Sequence, residues 1–223
     1  MGYLFILIPV IIIIFIILLV LISKPKRISE EHQRIKYLTD EELVANELEK
    51  LVKDNKAYLI NNLCFKDEEG YSSEIDHILI TKAGVFVIET KSSYGKIYGN
   101  ENDIMWQSYY KDTNKTKEII NPVLQNKGHI NHLRKMFKRN SPKMYSVIII
   151  LYGDISDIKI NNVYHLNDAI TYIKNKMSQN IHDDNYVEKI HQLFLNLINR
   201  YEISKEEHNK NVNSIYKENE NFE

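Results

Sequence analysis

The chain has little cysteine, little glycine and almost no net charge. Each of these shortages limits the cellular compartments, binding partners or active sites that the sequence is compatible with. Its 223 residues include one cysteine, Cys64. A lone cysteine favours a reducing compartment, because chains made for oxidising spaces usually pair their cysteines. The formal net charge is −1, so contact with nucleic acid needs a local basic patch. We find no glycine-rich phosphate loop, no Ser/His/Asp nucleophile arrangement and no internal repeat.

One uncharged apolar run stands at the N-terminus. Residues 3–22, which begin with Tyr3 and end with Ile22, consist mainly of Ile, Leu and Val. As a helix this run would be roughly 30 Å long, enough to cross the hydrocarbon core of a bilayer. It is too long for the apolar part of a signal peptide, and no small-residue cleavage site follows. The sequence therefore predicts a transmembrane anchor over residues 1–23, with a cleaved secreted protein as the alternative.

Positive charge follows the anchor at once. Lys24, Lys26 and Arg27 come directly after the apolar run, and no charged side chain precedes it. By the positive-inside rule, the N-terminus lies outside a cell membrane that the chain crosses once, and the C-terminal domain is cytoplasmic. A charged linker over 24–36 would separate the anchor from the folded part.

A first helix is predicted over residues 40–54, with Thr39 or Asp40 as its cap. Glu41 lies on the apolar side of this helix, where a carboxylate could simply favour the helix dipole. The apolar side is formed by residues at helical spacing: Val44, Leu48, Leu51 and Val52.

Polar residues stand at the far ends of a predicted β-hairpin. Apolar runs over 78–80 and 85–88 flank Lys82-Ala83-Gly84, a typical tight connection. With Lys82 and Ala83 at the tip, the register places Asp76 opposite Glu89, and Lys91 lies on the same face as Glu89. A three-residue loop would shift this pairing by one position unless Gly84 supplies a bulge.

Facing carboxylates on apolar strands repel each other and are costly to desolvate. Asp76 and Glu89 therefore indicate a divalent cation between them, and their hard oxygen ligands suit Mg²⁺ or Mn²⁺. Lys91 beside the metal could orient a water or stabilise charge on a phosphate. Charged strand ends that are merely solvated are the alternative.

A second prominent helix is predicted to begin at Asn121-Pro122, a cap followed by proline at the first helical position. Its buried stripe contains Val123, Ile130, Leu133 and Phe137, and a flank carries Gln125, His129 and His132. Two histidines three residues apart can bind zinc, but no further Cys or His cluster completes such a site, which favours a solvated flank. Five basic residues gather at the end of this helix and suit phosphate contact, although a soluble helix end is an equal alternative. They are Arg134, Lys135, Lys138, Arg139 and Lys143.

The remaining segments complete an α/β pattern. Residues 147–151 are wholly apolar and predict an interior strand, and Trp106 is predicted to lie in the core rather than to stack on a base. A short strand at 163–166 precedes helices that begin at Asn167 or Asp168 and at Asp183 or Asp184. The polar residues 202–223 predict a disordered tail.

The ordered string of these motifs resembles the nuclease-related domain, NERD, within the PD-(D/E)XK nuclease superfamily. The resemblance runs from about Thr39 to Tyr152, and its core is Asp76, twelve residues, then Glu89-Thr90-Lys91. The proline that often precedes the aspartate is missing. The residues that carry the likeness are Glu74-Ile75-Asp76-His77, 84–91, Gly95-Lys96-Ile97-Tyr98-Gly99, Trp106, Asn121-Pro122, Gln125 and His129-Ile130.

The resemblance implies a fold and a site. The expected fold is a PD-(D/E)XK-like αβββαβ core, a mixed sheet flanked by helices, over residues 37–152, followed by an α/β extension over 153–201. Asp76 and Glu89 would bind Mg²⁺ or Mn²⁺. Glu41 would be an auxiliary metal ligand or would position water, although Asp40 replaces the family's glycine before it. Lys91 would position water or steady the phosphorus, and Gln125 would support the site. The expected function is an anchored, metal-dependent nuclease acting on DNA or RNA, and the alternative is a catalytically weak or inactive anchored module that binds nucleic acid or protein.

Overall fold

The computed structural model describes residues 39–179 and 181–220. The predicted anchor and linker, including residues 3–22, lie outside the described residues. Within the described part, no helix is long and apolar enough to cross a membrane.

Helices and strands alternate along the described chain. The helices are α1 (Asp40–Asp54), α2 (Pro122–Phe137), α3 (Leu166–Met177), α4 (Asp184–Tyr201) and α5 (Lys205–Glu220), with a 3₁₀ turn at Lys138–Asn140. The strands are β1 (Tyr58–Lys66), β2 (Ser72–Thr81), β3 (Gly84–Lys91), β4 (Lys96–Tyr98), β5 (Met105–Tyr110), β6 (Lys115–Ile120), β7 (Met144–Ile150) and β8 (Val163–Tyr164).

The main sheet is mixed and has the strand order β1-β2-β3-β7-β8. Strands β1, β2 and β3 are antiparallel neighbours, whereas β7 runs parallel to both β3 and β8. The order α1-β1-β2-β3-α2-β7 is the predicted αβββαβ succession, and β4-β5-β6 form a separate antiparallel sheet inserted between β3 and α2. The α/β class with a mixed sheet flanked by helices is therefore confirmed.

The two faces of the sheet bury different residues because side chains alternate along each strand. On β3, Val85 and Val87 pack with Ile130 and Leu133 of α2 and with Phe194 of α4. Their neighbours Phe86 and Ile88 point to the opposite face and pack with α1 and α3. Each aliphatic side chain buried in this way contributes about 1.5–3 kcal/mol. Continued along β3, the alternation turns Glu89 and Lys91 towards α2.

Trp106 is part of a core, as predicted. The residue is fully buried with Ile97 and Val123, and its Nε1 donates to the carbonyl oxygen of Asn100 at 2.9 Å. Gly99 has no room for a Cβ because the indole ring occupies that space. Trp106 therefore fixes the inserted sheet against the main one.

Two expectations for the chain are wrong, and one strand was not predicted. The predicted disordered tail over 202–223 contains α5, which begins with Ser204 Oγ accepting the Glu207 N–H at 3.1 Å and packs against β1 and β2. Helix α3 begins at Leu166, with His165 before it rather than Asn167 or Asp168, and His165 Nδ1 contacts Ile150 O at 3.0 Å. Strand β6 was not predicted, because its side chains are mostly exposed and show no apolar alternation.

Candidate active site

The hairpin of β2 and β3 has the predicted register. Thr81 pairs with Gly84 across a two-residue turn, and the ladder continues outward as far as His77 and Ile88. One residue beyond, Asp76 Oδ2 accepts the backbone N–H of Thr90 at 2.7 Å. The carboxylate thus takes the place of a ladder bond where the two strands separate, and it stands beside Glu89 as predicted.

Lys91 lies between a strand residue and a helix residue. Its Nζ is 2.7 Å from Glu89 Oε1 and donates to Gln125 Oε1 at 2.9 Å. Gln125 is fixed in the first turn of α2, because Asn121 Oδ1 accepts the N–H of Val123 at 2.9 Å. The helix cap predicted from Asn121-Pro122 therefore places the residue that orients Lys91.

His129 lies one helical turn beyond Gln125 and was not predicted as a site residue. Its Nε2 lies 3.5 Å from Glu89 Oε2, and the residue is buried. His132 is also largely buried, with Nδ1 2.8 Å from Ser73 Oγ and Nε2 3.3 Å from Asp67 Oδ2. The expectation of a solvated flank is thus wrong, because this side of α2 covers polar strand ends. The i, i+4 spacing of Gln125 and His129 was the signal that could have found His129.

The two carboxylates differ in their protonation. Burial, together with the negative charge of Glu89, raises the pKa of Asp76 to about 7. Burial also acts to raise the pKa of Glu89, but His129 and Lys91 outweigh it and hold that pKa below its ordinary value. At neutral pH, Glu89 is ionised and Asp76 is poised between its two forms.

A cavity of about 280 Å³ opens at this end of the sheet. It brings together all five sequence-predicted site residues: Glu41, Asp76, Glu89, Lys91 and Gln125. Glu41 comes from the start of α1, as the resemblance implied. The cavity is therefore formed by α1, the hairpin and α2 together.

Helix α5 forms a further wall that the sequence did not predict. Lys205 and His208 line the cavity. Lys205 forms an ion pair with Glu74, and His208 Nδ1 lies 2.9 Å from Ser72 Oγ. A second lysine thus joins Lys91 at a cavity that is otherwise rich in carboxylates.

The donor atoms suit a hard cation with few protein ligands. Glu89 Oε2 is buried and accepts no hydrogen bond from any described residue. Among the described residues, no group of three or more His, Cys, Asp and Glu side chains is arranged to hold a metal by itself. Asp76 and Glu89 supply two carboxylates, and Mg²⁺ commonly takes one or two carboxylates with water and phosphate oxygens as its other ligands.

Comparisons with known proteins agree with the motif-based reading. The family model described as the nuclease-related domain, NERD, matches residues 38–151, just over half of the chain. A protein of Bacillus anthracis described as uncharacterized is 38% identical over 104 residues, which are 46% of this chain and 47% of that protein. The match thus spans about half the length of this relative. No solved structure gives a significant match.

Proposed function

The chain belongs to the nuclease-related domain family, and we propose that it is a metal-dependent nuclease that hydrolyses phosphodiester bonds of DNA or RNA. One observation carries the proposal: Asp76, Glu89 and Lys91 meet at one cavity, with Gln125 holding the lysine. Paired carboxylates beside a fixed ammonium suit chemistry on a phosphate, because negative charge must be both bound and stabilised there.

Asp76 and Glu89 are the residues that would hold Mg²⁺ or Mn²⁺. Glu41, which lines the same cavity, would be an auxiliary ligand or would position water. When bound, the cation would polarise a phosphate oxygen and lower the pKa of the attacking water. The buried Glu89 Oε2, which has His129 Nε2 at 3.5 Å but no hydrogen bond within normal geometry, supports this assignment.

Lys91 supplies positive charge that folding has already oriented. Glu89 Oε1 and Gln125 Oε1 hold its Nζ from two sides. A prearranged cation stabilises the charge that develops on phosphorus oxygens without reorganising during the reaction. Gln125 is therefore a positioning residue, whereas Lys91 would contact the phosphate or the attacking water.

Two further groups of basic residues would bind the substrate backbone. Lys205 lines the cavity and would contact a phosphate next to the cut. At the far end of α2, Arg134, Lys138 and Arg139 are exposed, about 14 to 21 Å along the helix from Gln125. Lys135 is already paired with Glu69. These contacts would follow the backbone without reading its sequence.

We also propose that residues 3–22 anchor the enzyme in the cell membrane. The uncharged apolar run and the basic residues that follow it support a single span with the nuclease domain in the cytoplasm. The enzyme would then act on nucleic acid close to the inner membrane surface.

A cleavage assay tests the proposed activity. Full-length protein is mixed with labelled single- and double-stranded DNA and RNA, with Mg²⁺, with Mn²⁺ and with EDTA, beside Asp76→Ala and Lys91→Ala. Metal-dependent cleavage that both substitutions abolish would support the nuclease. Binding without cleavage that neither substitution changes would overturn it in favour of an interaction module.

A further inference from the structure

A pair of stacked tyrosines stands in solvent beside the candidate active site. The ring centroids of Tyr94 and Tyr152 are 4.6 Å apart, with 6° between the ring planes. The residues nevertheless remain 53% and 44% exposed. Each ring covers one face of the other, and the remaining exposed surface of the pair is available to a flat ligand.

Both tyrosines follow strands that end at the cavity. Tyr94 comes three residues after Lys91 at the end of β3, and Tyr152 comes two residues after Ile150 at the end of β7. Lys91 and Ile150 are paired in the sheet, and Leu151 N–H donates to Lys91 O at 3.1 Å. Three residues span at most about 10 Å, so Tyr94 lies within one or two nucleotides of Lys91.

The pair is held in place from both sides. The Tyr152 hydroxyl donates to Asp40 Oδ1, next to Glu41, and this bond raises the pKa of Tyr152 to about 12. The carbonyl oxygen of Tyr94 accepts a hydrogen bond from Ser108 Oγ. Gly95 follows with φ +75°, where a Cβ would collide with the backbone of Tyr109. The pair is therefore prearranged, which lowers the entropy lost when a ligand stacks on it.

We propose that Tyr94 and Tyr152 form a stacking platform for an unpaired nucleobase, so that the substrate is single-stranded nucleic acid or the unpaired end of a duplex. This inference rests on the proposed nuclease function. Bases inside a duplex have both faces covered by their neighbours, whereas an unpaired base can offer a face to an aromatic side chain. Such stacking tolerates any base, because every base has a π-face.

A binding experiment tests the platform without turnover. Full-length protein in EDTA is titrated against labelled single-stranded DNA, single-stranded RNA and a blunt duplex, with fluorescence anisotropy as the readout. The double substitution Tyr94→Ala/Tyr152→Ala should weaken single-strand binding about tenfold or more and leave duplex binding unchanged. Tyr94→Trp should retain binding. Tyr71→Ala, at a tyrosine that is 62% exposed elsewhere, is the matched control and should change affinity less than about twofold.

Oligonucleotides with one abasic site locate the stacked base. In the wild type, the missing base should weaken binding at one or two positions, and this position dependence should vanish in the double variant. Single-strand binding that the double variant leaves unchanged, or duplex binding that falls equally, would overturn the platform. Stacking without cleavage in Mg²⁺ or Mn²⁺ would overturn the nuclease and leave the platform. Metal-dependent cleavage, combined with single-strand binding by the double variant that equals the wild type, would overturn the platform and leave the nuclease.

Discussion

Lys91 donates a hydrogen bond from its Nζ to Gln125 Oε1 at 2.9 Å, and this bond joins the central hairpin to α2. The same nitrogen lies 2.7 Å from Glu89 Oε1. A long, flexible side chain is thus oriented by folding rather than by substrate. Strand β3 provides the Lys91 ammonium group, and α2 provides Gln125, which orients it.

Gln125→Ala should lower kcat about tenfold with little change in KM, because Lys91 keeps its charge and loses one of its two fixed acceptors. Steady-state cleavage kinetics measure both constants. Gln107→Ala, at an exposed glutamine of β5, is the matched control and should leave both unchanged. A Gln125 effect confined to KM would show that the residue binds substrate instead of orienting the lysine.

Asp76→Asn should stabilise the folded protein above pH 7. The pKa of Asp76 is about 7 in the folded protein and about 4 in the unfolded chain. As pH rises, the Asp76 carboxyl therefore loses its proton at a lower pH in the unfolded chain than in the folded protein. Wild-type stability therefore falls as pH rises from about 4 to about 7. Asparagine can still accept the Thr90 N–H and carries no charge, so it removes this loss.

Urea unfolding at pH 5 and pH 8 measures the effect. The substitution should raise the free energy of unfolding by on the order of 1–3 kcal/mol at pH 8, and by much less at pH 5. An equal gain at both pH values would contradict a raised Asp76 pKa.

Lys205→Ala should raise KM about fivefold to tenfold, because the cavity would lose a cation and Glu74 would lose its partner. Lys210→Ala is the matched control. Lys210 lies on the same helix and pairs with Glu206, and both side chains are exposed. Glu74→Gln, which frees Lys205, should lower KM. Equal kinetics for the Lys205 and Lys210 variants would remove α5 from substrate binding.

The anchor can be tested by cell fractionation. Full-length protein should stay with the membrane pellet after alkaline carbonate washing. Two lysines in the apolar run, Ile12→Lys with Ile16→Lys, should shift it to the soluble fraction, because each charge at mid-membrane costs about 2.5–3.5 kcal/mol. A wild-type protein found in the soluble fraction would contradict anchoring.

Local patterns were enough to predict the hairpin and the start of α2. The two-residue turn fixed the register that brings Asp76 beside Glu89, and Asn121 caps α2 as its sequence indicated. Both features depend on residues close together in the chain, so the sequence carries them directly.

Features that depend on distant contacts were missed. His129 was read as solvated because helical periodicity marks only apolar faces as buried, whereas this polar face covers Glu89. Helix α5 was read as disordered from its composition, yet Lys205 and His208 dock it against Glu74 and Ser72 of β2. The Lys205–Glu74 and His208–Ser72 pairs are each separated by more than a hundred residues, and no local pattern indicates them.

The rate of phosphodiester cleavage in Mg²⁺ by Glu89→Gln tests the central claim most directly. Glutamine keeps the shape of Glu89 and removes the charge that would hold the cation, so we predict a loss of at least about a hundredfold relative to the wild type. Glu118→Gln, at an exposed glutamate of β6, controls for loss of a negative charge and should cleave at the wild-type rate. A Glu89→Gln protein that folds and cleaves as fast as Glu118→Gln would contradict the account.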